Sequence, residues 1–146
     1  MTIFTPRDEG YRDRIVAYSQ HTIFADFYKF RVESIDPGHV VLGVDGRPEL
    51  GHRPGWFQGT VITAIAEFAA GYSSATLVGA GWISLTIVQT INFVGQARGE
   101  RLVARGRVIQ PGRTITVASA EIFAVRDGGE HLCAVMQQTN HHMPPA

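Results

Sequence analysis

The sequence predicts an α+β domain in which one long buried helix is enclosed by a curved antiparallel sheet of about six strands. Three observations predict it. The region from Gln58 to Val78 is apolar around most of a helical circumference, so other elements must wrap it. Strand-like runs precede and follow it, punctuated by turns such as Asp36-Pro37-Gly38 and Asp127-Gly128-Gly129. The connections between those runs are too short for crossovers, so the sheet is antiparallel. The 146 residues suit one domain over 1–146, with 1–26 as an N-terminal helical extension.

The elements follow in order. Pro6 to Ser19 carries mixed charge, with Tyr11, Ile15, Val16 and Tyr18 near helical spacing, which predicts a short amphipathic helix. Phe27 to Ile35 and Val40 to Val44 read as a first hairpin. Gly46, Pro48, Gly51, Pro54 and Gly55 then make Asp45 to Gly55 a loop. In the long helix, Thr60, Thr63, Glu67, Gly71 and Ser74 recur at three- and four-residue steps and form one narrow stripe of small and polar groups. Val61, Ile62, Ile65, Phe68, Ala69 and Tyr72 supply its broader apolar surface. Four strands in meander complete the chain: Ile83 to Val94, Arg101 to Ile109, Thr114 to Val125 and His131 to Asn140. His141 to Pro145 reads as a frayed tail.

Composition excludes several function classes. Formal net charge is zero, so no polybasic footprint points to nucleic acid. Cys133 is the only cysteine, which fits a reducing compartment, most simply the cytoplasm, and its setting is that of a core thiol. A signal peptide is not expected from the N-terminal residues. The apolar stretch from Phe57 to Val88 is interrupted by Glu67 and several Gly and Ser residues, so no membrane span is expected. No metal site is expected, because the histidines lack Cys or carboxylate partners at ligand spacing.

Glu67 carries most of the functional information. It is the only charged side chain between Arg53 and Arg98, within a segment otherwise built for burial. An unpaired carboxylate there is costly, so it either closes a hydrogen-bond network or is put to chemical use.

Three segments resemble the hotdog-fold acyl-CoA thioesterases of the phenylacetate-degradation (PaaI) type. They are Gly55-Trp56-Phe57-Gln58-Gly59 leading into Ala64 to Tyr72, Ile91-Asn92-Phe93 followed by Ala97 to Leu102, and Gly106 to Thr114. The resemblance implies the hotdog fold and hydrolysis of a small to medium acyl or aryl thioester to free acid and coenzyme A. It places Gly59 at the turn whose backbone N–H polarises the thioester carbonyl, a position where a helix N-terminus offers free donors. Glu67 matches the acidic residue that acts as nucleophile or as general base for water. His52 stands where relatives carry Asn or Gln, and Thr86 where they place a Ser or Thr that contacts water or the acid. Gln58 departs from the pattern, replacing the usual His of the turn. Coenzyme A enters as part of the substrate and no separate cofactor is implied. Its phosphates would be met by surface arginines, Arg113 and Arg98 first, with Arg105 and Arg107 as further candidates. The resemblance also implies a homodimer or homotetramer with shared active sites.

Two alternatives remain open at the level of sequence. A non-catalytic acyl-CoA-binding or ligand-sensing module would keep the fold yet need no carboxylate on the helix. A hydratase or dehydratase acting on acyl thioesters commonly uses a His with an acid, and the turn His is missing here.

Overall fold

The computed structural model describes residues 3–146, so the first two residues of the expected extension lie outside it. In chain order the elements are α1 (Tyr11–Gln20), α2 (Ile23–Tyr28), β1 (Arg31–Asp36), β2 (His39–Asp45), a 3₁₀ turn (Pro48–Leu50) and α3 (Gly59–Ala75). The four strands that follow are β3 (Ile83–Phe93), β4 (Arg101–Gln110), β5 (Ile115–Arg126) and β6 (Gly129–Met143). All strands join one antiparallel sheet in the order β1-β2-β4-β5-β6-β3. Helix α3 touches five of the six strands, β2 through β6, so the sheet must curl around it. This is the hotdog arrangement.

Burial follows the apolar pattern. Val61, Ile62, Ile65, Ala66, Ala69 and Ala70 of α3 pack on Val40, Leu42, Leu102, Ala104, Ala118, Ala120 and Ile122 from the inner sheet face. The outer face carries ion pairs instead, including Arg105 held bidentate by Glu130 at 2.7 and 2.8 Å. Helix and sheet approach closely at Gly106, where an added Cβ would lie 2.6 Å from Ser73 Oγ and nearer still to the Ala69 carbonyl. Ser73 seals this seam by donating to Ala69 O at 2.7 Å and accepting from the Val40 N–H at 3.0 Å. Cys133 is a core thiol, as expected: it is fully buried, and burial pushes its pKa up to about 11. No helix among the described residues is long and apolar enough to cross a membrane.

Three expectations need correction. Phe27 and Tyr28 close helix α2 and do not begin a strand. The Thr22 side chain caps that helix from Ala25 N at 3.1 Å, Lys29 ends it in the left-handed region at φ 57°, and the strand starts at Arg31. Aromatic packing explains the difference, with the Tyr28 and Phe30 rings stacked 4.9 Å apart. The last four strands are not a simple meander either. Only β4-β5-β6 is one, while β3 lies beyond β6 and the 94–100 connection runs back across the sheet to β4. Placing β3 there closes the sheet over the polar stripe of α3.

The third correction concerns His141 to Met143, which extend β6 and pair with Leu85, Ser84 and Ile83 of β3. His142 is 1% exposed, and its Nε2 lies 2.8 Å from Thr116 Oγ1. Burial first, then the nearby Arg7 and His141 charges, lower its pKa from the usual 6.5 to about 4. The unfolded chain therefore binds the extra proton between those two values, and folding stability falls as pH drops through that window. The expected loss approaches about 3 kcal/mol by pH 4. Urea unfolding at pH 7 and pH 4.5 should show His142→Gln to be less acid-sensitive than the wild type. An identical acid dependence would remove His142 as a cause.

Candidate active site

The polar stripe of α3 arises because residues three and four apart share one helical face. In the fold that face looks towards β3 and β6. Ser74 donates to Asn140 Oδ1 at 3.0 Å, Gly71 lies against the Gln138 amide, and Glu67 reaches Thr86. The Thr86 hydroxyl donates to Glu67 Oε1 at 2.6 Å, a short charge-assisted bond. A β-bulge between Thr86 and Val88 inserts Ile87 beside this contact, as bulges commonly do where a strand must re-aim a side chain.

Glu67 and Thr86 are half-buried and line a cavity of about 320 Å³. Tyr18, Phe68, Tyr72 and Trp82 supply its aromatic walls. Burial, and secondarily the Glu67 charge, push the Tyr72 phenol up to about 12, so it stays neutral across the physiological range. The arrangement is a carboxylate with one oxygen engaged, facing a largely apolar pocket of small-molecule size.

Gly59 and His52 lie elsewhere. Gly59 is the first residue of α3, and Gln58 at the N-cap makes no side-chain cap. Backbone bonds fix the turn instead, from Phe57 N to Ala97 O and from Gln58 N to Leu50 O, both 2.9 Å. Turn geometry is thus held without the usual His, and the positive end of the helix is left uncapped. Nothing within the protomer demands a glycine here. An added Cβ would meet only the Phe93 ring, at an ordinary 3.5 Å. Glu67 lies eight residues further along, about 12 Å along the axis.

His52 is exposed and lines a separate cleft of about 530 Å³ with Arg47, Arg53 and Trp56, where the Arg53 guanidinium sits 4.1 Å from the Trp56 ring centroid. Arg98 pairs through its backbone with Trp56 at the edge of that region, whereas Arg113 occupies the turn before β5. Arg105 is committed to Glu130. One protomer therefore joins Glu67 with Thr86 but does not bring Gly59 or His52 to them. Among the described residues, no group of three or more His, Cys, Asp or Glu side chains clusters as a metal site.

Sequence reasoning missed the inner row of β6. Gln138, Asn140 and His142 are each 1% exposed and continue the inward alternation of Ala134 and Met136. That period of two was available as a signal, but reading His141 onward as a tail cut it short.

The profile of the thioesterase superfamily matches residues 57–131. Among solved structures, a thioesterase family protein from Silicibacter pomeroyi is 29% identical. It superposes with a TM-score of 0.90 and covers 92% of this chain and 99% of its own. A thioesterase from Haemophilus influenzae, 16% identical, has a TM-score of 0.78 with 98% and 93% covered. A thioesterase from Staphylococcus aureus, 23% identical, has a TM-score of 0.76 with 84% and 100% covered. The last two share the fold. No curated protein matches the chain.

Proposed function

Because the chain belongs to the thioesterase superfamily, we propose that it hydrolyses a small to medium acyl or aryl thioester of coenzyme A, in the manner of the PaaI-type enzymes. The observation that carries this reading is the Glu67 carboxylate, held by Thr86 at 2.6 Å in the wall of an aromatic-lined cavity. The acyl or aryl group occupies that cavity. Glu67 takes a proton from water that attacks the carbonyl carbon, or attacks it itself to give an anhydride that water then hydrolyses. In both cases the C–S bond breaks and coenzyme A leaves as the thiolate, a good leaving group.

The oxyanion requires a donor about 3 Å from the same carbonyl, which the Gly59 N–H of the same protomer cannot be. A second copy supplies it. Edge strand β3 is long and exposes Ile83, Leu85, Ile87, Val88 and Phe93, the kind of apolar edge that pairs with another chain. Antiparallel pairing of two β3 edges about a two-fold axis runs the two α3 helices in opposite directions. The partner's Gly59 and His52 then approach Glu67, and the partner's Arg98 approaches the end that carries Arg113, where coenzyme A phosphates would be met. The minimal unit is a homodimer, and two such dimers make the tetramer that the resemblance implies. Cytoplasmic residence fits the single buried thiol.

The function is tested by thiol release from a panel of acyl- and aryl-CoA thioesters. Turnover supports it, while binding without release across the panel would transfer the assignment to an acyl-CoA-binding module. The dimer is tested by Val88→Lys, which places a charge on the exposed edge. Light scattering is expected to show a dimer for the wild type and a folded, inactive monomer for the variant. A variant that stays dimeric would move the interface off β3.

A further inference from the structure

We propose that Asn140 and Gln138, on the inner face of β6, are positioning residues that force the Thr86 hydroxyl to donate to Glu67. The inference rests on the hydrolase reading for its catalytic meaning and on hydrogen-bond polarity for its geometry. A threonine hydroxyl offers one proton and two lone pairs. Asn140 Nδ2 lies 3.2 Å from Thr86 Oγ1, and Gln138 Nε2 lies 3.4 Å from it. Gln138 Nε2 has two protons, which go to Asn140 Oδ1 and the Glu67 carbonyl. The Asn140 amide is therefore the donor that occupies a Thr86 lone pair and leaves the proton to point at Glu67 Oε1, 2.6 Å away.

The direction of every donor in this set is fixed by one backbone group. The Glu67 carbonyl can only accept, so the Gln138 atom facing it at 3.4 Å is the nitrogen. The Asn140 atom 3.1 Å from that nitrogen accepts its second proton, which makes it Oδ1. Asn140 therefore turns Nδ2 towards Thr86. The circuit starts at the carbonyl of Glu67 and closes on the carboxylate of the same residue.

Burial makes it rigid. Gln138 and Asn140 are each 1% exposed, and the Gln138 amide lies in contact distance of α3 at Gly71. With one carboxylate oxygen pinned, the other is left for the substrate or water. Without the amides, the hydroxyl can rotate and the carboxylate loses its fixed aim.

The test is a double-substitution cycle in thiol release. Asn140→Asp keeps the shape but exchanges the amide donor for an acceptor, and Thr86→Val removes the hydroxyl. Each alone is expected to lower kcat about tenfold with KM little changed. Combined, they are expected to do no more than Thr86→Val alone, because Asn140 acts through that hydroxyl. A combined loss equal to the product of the single losses overturns the proposal. Should Asn140→Asp fail to fold, Gln138→Met is put through the same cycle and judged the same way. Crystal structures of the wild type and the chosen variant give a readout independent of turnover. The Thr86 hydroxyl is expected to leave Glu67 in the variant, and an unchanged contact overturns the proposal. Absence of turnover by the wild type would instead sink the hydrolase reading, and the crystal comparison alone would then decide the geometry.

Discussion

Glu67→Ala is expected to lower thiol release from acyl-CoA thioesters about 10³-fold while the protein remains folded, the size typical of losing a general base or nucleophile. The physical reason is that no other carboxylate lines the cavity. The neighbouring polar groups, Tyr18, Tyr72, Ser84, Thr86 and Asn140, are neutral and cannot take up a proton near pH 7. Glu67→Gln sharpens the measurement. It preserves shape and an acceptor for the Thr86 hydroxyl but lacks basicity, so it should be nearly as slow as Glu67→Ala and at least as stable. Binding of the substrate, read as KM or by calorimetry with a non-hydrolysable analogue, should change little in either variant. If Glu67→Gln turned over as fast as the wild type, the carboxylate would be a structural acceptor and the chemistry would lie elsewhere.

The second large effect is on stability. Gly106→Ala is expected to destabilise the fold by about 3 kcal/mol or more, within a total of order 5–15 kcal/mol. An added Cβ would press on the Ala69 carbonyl and on Ser73 Oγ, and both belong to the packed face of α3. Neither can swing aside without moving the helix or breaking the Ser73 bond to Val40 N. Gly43 makes the useful contrast. A Cβ there would also collide, but with the carboxylate end of Glu33 and the tip of Arg101, which are flexible and partly exposed. Gly43→Ala should therefore lose no more than an ordinary surface salt bridge, about 1 kcal/mol. Urea midpoints of the two variants check this, and near-equal values would mean that β4 has slack against α3.

Most of the fold was legible because its strongest signals are local. The apolar circumference of Gln58 to Val78, the Asp36-Pro37-Gly38 turn and the hairpin at Asp127-Gly128-Gly129 each report structure within a few residues. What failed was non-local. Nothing near Ile83 to Phe93 states that its partner is β6 and not the next strand, because pairing depends on how the sheet closes around α3. The aromatic run through Phe27 and Tyr28 has strand propensity, yet ring packing and the Thr22 cap made it helical.

The candidate site divides along the same line. Glu67 was visible as a lone charge; it closes a hydrogen-bond network and also faces a cavity. Thr86 meets it as the resemblance implied. Gln138 and Asn140 escaped notice because uncharged amides in a strand carry no signal of burial, and only the inward alternation of β6 gives them one. Within one protomer His52 lines a separate cleft and Gly59 lies about two helical turns from Glu67, so only the proposed dimer would bring them together.

The order of the strands also bears on how the chain reaches this state. Strand β6, the last along the sequence, is not an edge: it lies between β5 and β3. Until its residues are available, β3 has no neighbour in the sheet, and the polar stripe of α3 has no amides to meet. A chain growing from its N-terminus can thus form α3 and the β4-β5 hairpin early, but must hold an apolar strand unpaired in the meantime. Pairings of such long sequence separation form slowly and leave hydrophobic edges open to association. The contact between Glu67 and Thr86 therefore depends on a strand, β3, that enters the sheet only through the last strand of the chain.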